Sequence, residues 1–203
     1  MRSFDVIVVG AGLAGMFAGA LSARRGMRTL VIARGNGGTH LSTGCVGIHS
    51  YGDDGQPLEH WDEWKATPSE GHPYAQLSPD DLHHTHRTFV EMCERAGYPM
   101  HSRPGENFLL PTSAGAIRAP AFAPDTMTAG DVRLPGDIVL ASLFGLRDFY
   151  PSLAAANLSL RPGLAGRVSV VELPLPDAPF RRDAYATDLA LLFDDADYRS
   201  RIS

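Results

Sequence analysis

The sequence predicts the α/β fold class, with a parallel sheet at the start of the chain. An apolar, β-branched segment, "FDVIVVG", at residues 4–10 indicates a strand. The next segment, "LAGMFAGALSARRG", at residues 13–26 indicates a helix that Gly26 ends. A second short strand follows at residues 28–33. Because a helix separates the two strands, they form a βαβ unit and pair in parallel.

Composition excludes several classes of protein. The 203 residues are 44% hydrophobic and 20% charged, as in soluble globular proteins. A net charge of −5 without a run of Lys or Arg argues against nucleic-acid binding. Cys45 and Cys93 lie far apart, so we expect no disulfide framework, no metal site and a cytoplasmic location.

The apolar run from residue 6 to residue 23 is about long enough to cross a bilayer. It also follows Arg2, as in the basic start of a signal peptide. Asp5 stands at its start, however, and glycines at positions 10, 12, 15 and 19 interrupt it. A strand, a turn and a helix fit this segment better than a single membrane span.

The turn between the first strand and the helix has the sequence "GAGLAG". Gly10 permits a tight turn, Gly12 lets the backbone approach a pyrophosphate, and Gly15 allows close packing of helix on strand. The N-terminus of the helix offers free N–H groups to the phosphates. We expect six residues to contact a nucleotide cofactor here: Gly10, Ala11, Gly12, Leu13, Ala14 and Gly15.

The end of the second strand lacks the acidic residue that usually binds a ribose hydroxyl. Ala33 occupies that position and Arg34 follows it. Arg34 either pairs with a phosphate, as on the 2′-phosphate of NADP, or is simply solvated. The sequence therefore predicts nucleotide binding without the usual ribose contact.

A second glycine-rich loop follows, "RGNGGTHLSTGCVGI", at residues 34–48. Simple NAD-dependent dehydrogenases lack such a loop, whereas flavoproteins of the fumarate reductase and glycerol-3-phosphate dehydrogenase type have it. There the backbone lies close to the flavin and hydroxyl groups reach phosphate or ring atoms. The cofactor contacts expected in and just before this loop are Ala33, Arg34, Gly35, Gly37, Gly38, Thr39, Ser42, Thr43, Gly44 and Cys45.

Four stretches resemble the N-terminal half of a flavoprotein family, the B subunits of anaerobic glycerol-3-phosphate dehydrogenase. They occur in the family's order: "FDVIVVGAGLAGMFAGALSARRGMRTLVIARG", "HLSTGCVGIHSYGDDGQPL", "GHPYAQLSPDDL" and "GDIVLASLFGLRDFYPSLAAANL". In that family the second strand also ends in a neutral or hydroxyl residue before Arg-Gly. The missing acid thus fits the resemblance.

The resemblance implies a flavin-dependent oxidoreductase. Such a protein takes part in oxidising sn-glycerol 3-phosphate to dihydroxyacetone phosphate, and electrons pass to the quinone pool. It implies two partners, a dehydrogenase (A) subunit and an iron–sulfur (C) subunit, and a cytoplasmic location with membrane contact through those partners. The family is usually described as binding FMN, whereas the first glycine turn suits the pyrophosphate of FAD. The expected cofactor is therefore a flavin, FMN or FAD.

We expect a Rossmann-like, FAD/NAD(P)-binding βαβ lobe over residues 1–50. Residues 51–203 should form an inserted mixed α+β region that acts as a cap or substrate region. The resemblance covers about half of a family member and ends at "ADYRSRIS", so we expect the chain to be truncated at its C-terminus. Alone, it should be marginally stable, expose apolar strands and hold flavin weakly.

The middle of the chain predicts a helix that starts at Ser78 and stops at Gly97. Its polar face contains His83, His84 and His86, which we interpret as solvated residues and not as metal ligands. The expected inward face consists of Leu82, Phe89, Cys93 and Ala96.

Further along, the pattern predicts a hairpin from "NFLLPT" and "AIRAPAFAP". A buried strand "DIVLAS", a helix capped near Asp148, a strand "RVSVVELPLP" and one helix "YATDLALLFDDADY" should follow.

The sequence identifies no catalytic residue. His49, His72 and Arg118 lie in or near family-like stretches, but each is equally explained as a hydrogen-bonded loop residue. Three functions remain open: a flavin subunit that transfers electrons, a stand-alone FAD/NAD(P)-dependent oxidoreductase that uses Arg34, and a non-catalytic fragment of the flavoprotein.

Overall fold

The strands predicted at the start of the chain form and pair in parallel. In the computed structural model, strand β1 (Val6–Val9) lies beside strand β2 (Thr29–Ile32), in register from Val6 opposite Thr29 to Val9 opposite Ile32. Helix α1 (Leu13–Arg24) connects them. The βαβ unit predicted from the sequence is thus confirmed.

The structure describes residues 3–62, 71–175 and 183–202. The chain divides into two units, Met1–Cys45 and Val46–Ser203. No helix among the described residues is both long and apolar enough to cross a membrane.

In the first unit, one face of the β1–β2 sheet packs against α1. An ideal Cβ built on Gly19 would lie 2.9 Å from a methyl group of Val31, so the helix approaches the sheet closely there. Side chains on the opposite face are exposed to solvent: Ile7 is 57% exposed and Val9 is 83% exposed. The expected exposure of apolar strand residues is confirmed.

The second unit alternates helices with short strands. Its strands are β3 (Met100–Ser102), β4 (Leu110–Pro111), β5 (Ile117–Arg118), β6 (Phe122–Pro124), β7 (Ile138–Leu143) and β8 (Val168–Leu173). Its helices are α2 (Pro79–Arg95), α3 (Asp125–Thr128), α4 (Pro151–Ser159), α5 (Ala186–Phe193) and α6 (Ala196–Ile202), with a 3₁₀ turn at Pro73–Gln76.

Helix α2 begins and ends where the sequence predicts. The Ser78 hydroxyl accepts a hydrogen bond from the Asp81 N–H at 3.1 Å, and the Asp81 carboxylate accepts from the Ser78 N–H at 3.0 Å. This capping box satisfies two otherwise unpaired donors. The Ser78 hydroxyl also donates to the Asp81 carboxylate at 2.6 Å, and this hydrogen bond, together with that from the Ser78 N–H, lowers the pKa of Asp81. Gly97, with φ of +74°, follows the helix end.

The predicted hairpin is only partly correct. Strands β4 and β5 pair antiparallel over two residue pairs. The second predicted strand does not continue straight, because Phe122–Pro124 leaves the hairpin and pairs with β3 instead. Proline at positions 111 and 120 removes ladder donors, which limits the length of each pairing.

Strands β7 and β8 form a second parallel pair, with α4 between them in sequence. The sequence predicts these elements singly, but the strand–helix–strand order was itself the signal for parallel pairing. The expected burial of "DIVLAS" is wrong, since Val139 is 57% exposed. The predicted cap at Asp148 is also wrong: α4 starts at Pro151, and the Asp148 carboxylate accepts from the Ala186 N–H at the start of α5.

The single helix predicted for residues 185–198 is two helices. The Asp195 carboxylate accepts a hydrogen bond from the Asp197 N–H at 2.8 Å, so it caps the start of α6 and ends continuous helical pairing with α5. Leu189 on α5 and Tyr198 on α6 are both buried. Pro176, the last residue of the strand predicted before these helices, lies outside the described residues.

The core of the second unit forms around Trp61, which is completely buried. Leu82 of α2, Met100 of β3 and Phe122 of β6 pack against it, and Phe89 and Cys93 contact the same cluster as the sequence predicts. Burial raises the pKa of the Cys93 thiol. Ala96, by contrast, is exposed at the helix end, so its predicted inward position is wrong.

The predicted solvation of the three histidines on α2 is wrong for His86. Its ring is 7% exposed and stacks on Trp61 with ring centroids 5.7 Å apart. Phe122 lies against it at 4.8 Å. His83 also contacts Trp61, at 5.3 Å, whereas His84 is exposed as predicted. The sequence alone does not indicate the burial of His86, because Trp61 lies far from α2 along the chain.

Because His86 is buried, we predict that the free energy of unfolding of this chain depends on pH. Burial first, and then the charges of His83 and Arg87, lower the pKa of His86 in the folded state. Below about pH 6.5 the unfolded chain therefore binds more protons at this position than the folded chain does. The free energy of unfolding should fall with decreasing pH, by at most about 1.4 kcal/mol per pH unit for this site.

Urea unfolding at about pH 7.5 and about pH 5.5, on either side of the ordinary histidine pKa, measures this effect. The variant His86→Gln should lose less stability between the two pH values than the wild type does. The variant His84→Gln, altered at an exposed position of the same helix, should behave like the wild type. An unchanged pH dependence in His86→Gln would contradict the prediction.

Candidate functional site

The turn after β1 is fixed by a backbone hydrogen bond to the end of β2. The Gly10 N–H donates to the Ile32 carbonyl at 2.8 Å, and Gly10 adopts a φ of +110°. A residue with a side chain is strained at such an angle, so glycine is required. The turn therefore leaves the sheet at the carboxyl end of β1, where ligands of open parallel sheets bind.

The N-terminus of α1 is open for a ligand. Gly12 is its N-cap residue, and no side chain caps the helix. An ideal Cβ built on Gly10 or Gly12 would meet no described atom within 4 Å. The first N–H groups of a helix have no partner inside the helix, so these amides can donate to an anion. Open space together with free donors fits a pyrophosphate.

The third glycine of the motif, Gly15, allows close packing and does not leave space for a ligand. An ideal Cβ on Gly15 would lie only 2.1 Å from the carbonyl oxygen of Gly10. Any side chain would push the first turn of α1 away from the end of β1. Gly15 therefore holds the helix against the turn, in agreement with the role that its spacing predicts.

The second glycine loop packs directly on this turn. An ideal Cβ on Gly37 would lie 2.0 Å from the carbonyl oxygen of Ala11 and 2.6 Å from the nitrogen of Gly12. Gly38 beside it would meet nothing within 4 Å. The sequence shows the glycine pair, but only the structure identifies Gly37 as the residue in contact. This contact places the two predicted loops side by side.

The rest of the second loop is held by short-range hydrogen bonds. Gly38–Leu41 forms a 3₁₀ turn, which the Ser42 N–H closes by donating to the Thr39 carbonyl at 3.0 Å. The Ser42 hydroxyl accepts from the Gly44 N–H at 3.2 Å. Ser42 and Thr43 are exposed, so their hydroxyl groups are accessible to a ligand, while Cys45 is buried.

The end of β2 carries no acid. Ala33 and Arg34 are both exposed. Within the described part of the chain, the Arg34 side chain makes no ion pair or hydrogen bond, so its guanidinium is free to meet a phosphate or solvent. The structure is compatible with both of these alternatives.

Sequence reasoning missed an exposed ion pair between the starts of the two strands of the first unit. The Arg28 guanidinium donates to both carboxylate oxygens of Asp5, at 3.0 and 2.7 Å, and also to the Ser3 hydroxyl at 2.8 Å. These hydrogen bonds lower the pKa of Asp5. Asp5 and Arg28 each immediately precede a strand of the parallel pair, and that position was the available signal.

The three candidate catalytic residues have separate environments in the second unit. The His72 ring caps the 3₁₀ turn by accepting from the Tyr74 N–H at 3.1 Å. The carbonyl of His49 accepts from the Asn107 side chain at 2.8 Å, while the His49 Nδ1 atom is buried without a hydrogen-bond partner in the described part of the structure. Arg118 lies half-buried on β5. The cap explains His72 as a structural residue.

Comparison with curated proteins confirms the resemblance drawn from the sequence. The chain is 27% identical over 187 residues to the anaerobic glycerol-3-phosphate dehydrogenase B subunit of Actinobacillus succinogenes, a match that covers 89% of this chain and 44% of the relative. It is 28% identical to the corresponding protein of Pectobacterium atrosepticum, with coverages of 98% and 49%. For the corresponding protein of Pectobacterium carotovorum the identity is 29%, with coverages of 86% and 43%.

The chain spans about half the length of these curated relatives. No solved structure matches it. A family model described as an FAD binding domain matches residues 5–195, which is most of the chain. The parallel strands and the two glycine loops fit a Rossmann-like flavin-binding fold, and the cofactor is a flavin, named as FAD by the family's description. The chain therefore belongs to the FAD-binding domain family.

Proposed function

We propose that this chain is the flavin-binding subunit of a glycerol-3-phosphate dehydrogenase. In this role it takes part in oxidising sn-glycerol 3-phosphate to dihydroxyacetone phosphate, and electrons pass on to quinone. The names of the relatives support the substrate. The single observation on which the proposal rests is the packing of Gly37 on Ala11, because it joins the two loops that flavoproteins of this type use.

The cofactor contacts follow from this geometry. The uncapped amides at the start of α1 hold the pyrophosphate, and the glycines at positions 10 and 12 leave the space for it. The exposed hydroxyls of Ser42 and Thr43 reach phosphate or ring atoms. When bound, FAD supplies the acceptor for two electrons; the chain's own residues bind and orient it.

The lack of an acidic residue at position 33, where Ala33 stands, does not argue against FAD binding. A ribose hydrogen bond contributes about 0.5–1.5 kcal/mol net, which is small beside the contacts of a whole dinucleotide. The cofactor is therefore held by phosphate and flavin contacts more than by its adenosine ribose. Arg34 adds a phosphate contact to this set.

Partner proteins complete the electron path. The names of the relatives support a complex of several chains. We assign the substrate-oxidising role to an A subunit and the iron–sulfur cluster to a C subunit. An iron–sulfur cluster of the common type needs about four cysteines, and the 203 residues of this chain contain 2.

A stand-alone oxidoreductase is the second candidate function. The observation that favours it is the exposed Arg34, which suits the 2′-phosphate of NADPH. Anaerobic mixing of the flavin-loaded chain with NADPH distinguishes the two functions. Rapid bleaching of the flavin by NADPH alone would favour this second function.

Reconstitution with the A and C subunits tests the main proposal. Electron transfer from sn-glycerol 3-phosphate to a quinone analogue should require this chain. The variant Gly12→Val should abolish both transfer and flavin retention, because its side chain occupies the space that the phosphates need. Ala18→Val, at an exposed position of the same helix, is the control and should retain both. Full activity with Gly12→Val would contradict the proposal.

The contact between the two loops makes Gly37→Ala damaging to flavin binding. Its methyl group would overlap the Ala11 carbonyl, so the second loop must move off the turn. We expect the dissociation constant for FAD to rise at least about tenfold, which corresponds to about 1.4 kcal/mol. The control is Ala18→Val, at an exposed position of α1 outside both glycine loops. Equal affinities of the two variants would refute the argument.

Arg34→Ala tests the proposed phosphate contact. If Arg34 meets a phosphate, the substitution should weaken flavin binding more at low salt than at high salt, because salt already screens the wild-type interaction. Fluorescence titrations at about 20 mM and about 300 mM salt provide the comparison, since the Debye length falls between them from roughly 20 Å to roughly 6 Å. Arg25→Ala, which alters an exposed arginine, serves as the control. Curves identical to wild type at both salt levels would show that Arg34 is only solvated.

A further inference from the structure

A cavity in the second unit lies outside the flavin loops. Its volume is about 490 Å³, within the range of small-molecule sites. Buried Ile117, Val132 and Leu164 belong to one core cluster and provide an apolar floor. Arg133, Arg161 and Arg167 stand among its lining residues.

Two consecutive turns bring Arg161 and Arg167 to the same cavity. The Leu164 N–H donates to the Arg161 carbonyl at 3.1 Å, and the Arg167 N–H donates to the Leu164 carbonyl at 3.1 Å. Gly163 and Gly166 each adopt a φ of +77° at the third position of a turn, as a type II turn requires. Leu164, shared by both turns, is buried in the core. The core thus fixes the loop that presents the two arginines.

The charge of Arg133 is already balanced. Its guanidinium donates to the fully buried Asp131 carboxylate at 2.7 Å and approaches Glu59 at 3.6 Å. Another of its hydrogen bonds goes to the Asn107 carbonyl, at 2.7 Å. These contacts tie Arg133 to the protein, so it shapes the wall of the cavity.

Arg161 and Arg167 have no carboxylate partner among the described residues. Arg167 donates to the neutral carbonyls of Gly136 and Leu134, at 2.9 and 2.8 Å, which hold its side chain in place. Arg161 makes one long contact, 3.5 Å, to the Gln56 amide oxygen. Both arginines are half-buried beside an apolar floor. Two guanidinium groups in such a concave, partly desolvated site attract an anion more strongly than fully solvated surface charges do.

We propose that this cavity binds a small organic oxyanion, a phosphate monoester or a carboxylate. Arg161 binds the charged group through its planar guanidinium, which can donate two parallel hydrogen bonds to an oxyanion. Arg167 adds its second terminal nitrogen, because its Nε and its other terminal nitrogen already donate to the Gly136 and Leu134 carbonyls. The apolar floor binds the hydrocarbon part of the ligand. This site lies wholly within the second unit and does not depend on the flavin role proposed above.

Isothermal titration of the full 203-residue chain, loaded with FAD so that the site proposed at the start of α1 is filled, tests the proposal. The probes are inorganic phosphate, butyl phosphate and butyrate. Butyl phosphate should bind at least about tenfold more tightly than phosphate if the floor contacts hydrocarbon. Comparison with butyrate shows which oxyanion the site prefers. Binding of none of the three probes would overturn the proposal.

Substitution of Arg161 locates the binding. Because its side-chain contact to Gln56 is a long one, Arg161→Gln should fold normally, as thermal unfolding verifies. This variant should bind the preferred probe at least about tenfold more weakly than the wild type does. Arg161→Lys should lose less affinity, because it keeps the positive charge. The control is Arg95→Gln, which removes an exposed charge at the end of α2. Equal weakening by Arg161→Gln and Arg95→Gln would mean a general charge effect and overturn the site.

Discussion

The contact between Gly37 and Ala11 is the constraint on which the candidate cofactor site depends. It brings the backbone of the second glycine loop against the turn that starts α1, closer than any side chain permits. The turn itself is fixed to the end of β2 by the Gly10 hydrogen bond, and α1 is held to it by Gly15. Three glycines, each needed for lack of a Cβ, thus position the uncapped N-terminus of α1 beside a loop that carries hydroxyl groups.

The second unit is organised differently, around buried side chains. Trp61 joins α2, β3 and β6 through contacts with Leu82, Met100 and Phe122. A second cluster under β7, α4 and β8 supports the arginine-lined cavity, and Ile117, Val132 and Leu164 belong to both. Elsewhere in this unit, the buried Asp131 accepts from Arg103 and Arg133, and this ion-pair network offsets the burial of its charge. The arginine-lined cavity of this unit is therefore built on a packed core.

Local signals predicted the fold where one segment decides its own structure. The cap at Ser78, the stop at Gly97 and the strand–turn–helix at residues 4–26 depend on residues close in sequence, and all three are present. Predictions failed where a distant residue decides. His86 is buried because Trp61 covers it, and Asp148 caps α5 in place of α4. Phe122 leaves its hairpin and pairs with Ser102 of β3, a strand that precedes the hairpin in sequence.

By itself the sequence determined the fold class, the flavin family and the loops expected to bind the cofactor. The fold class and the first loop follow from the glycine spacing of a βα turn, which backbone geometry sets within one short segment. The flavin family follows from the resemblance of four stretches to known flavoproteins. Only the tertiary structure decided which glycine joins the two loops, which histidine is buried and which arginines share a cavity. Those outcomes depend on contacts between residues far apart along the chain, and no local pattern encodes them.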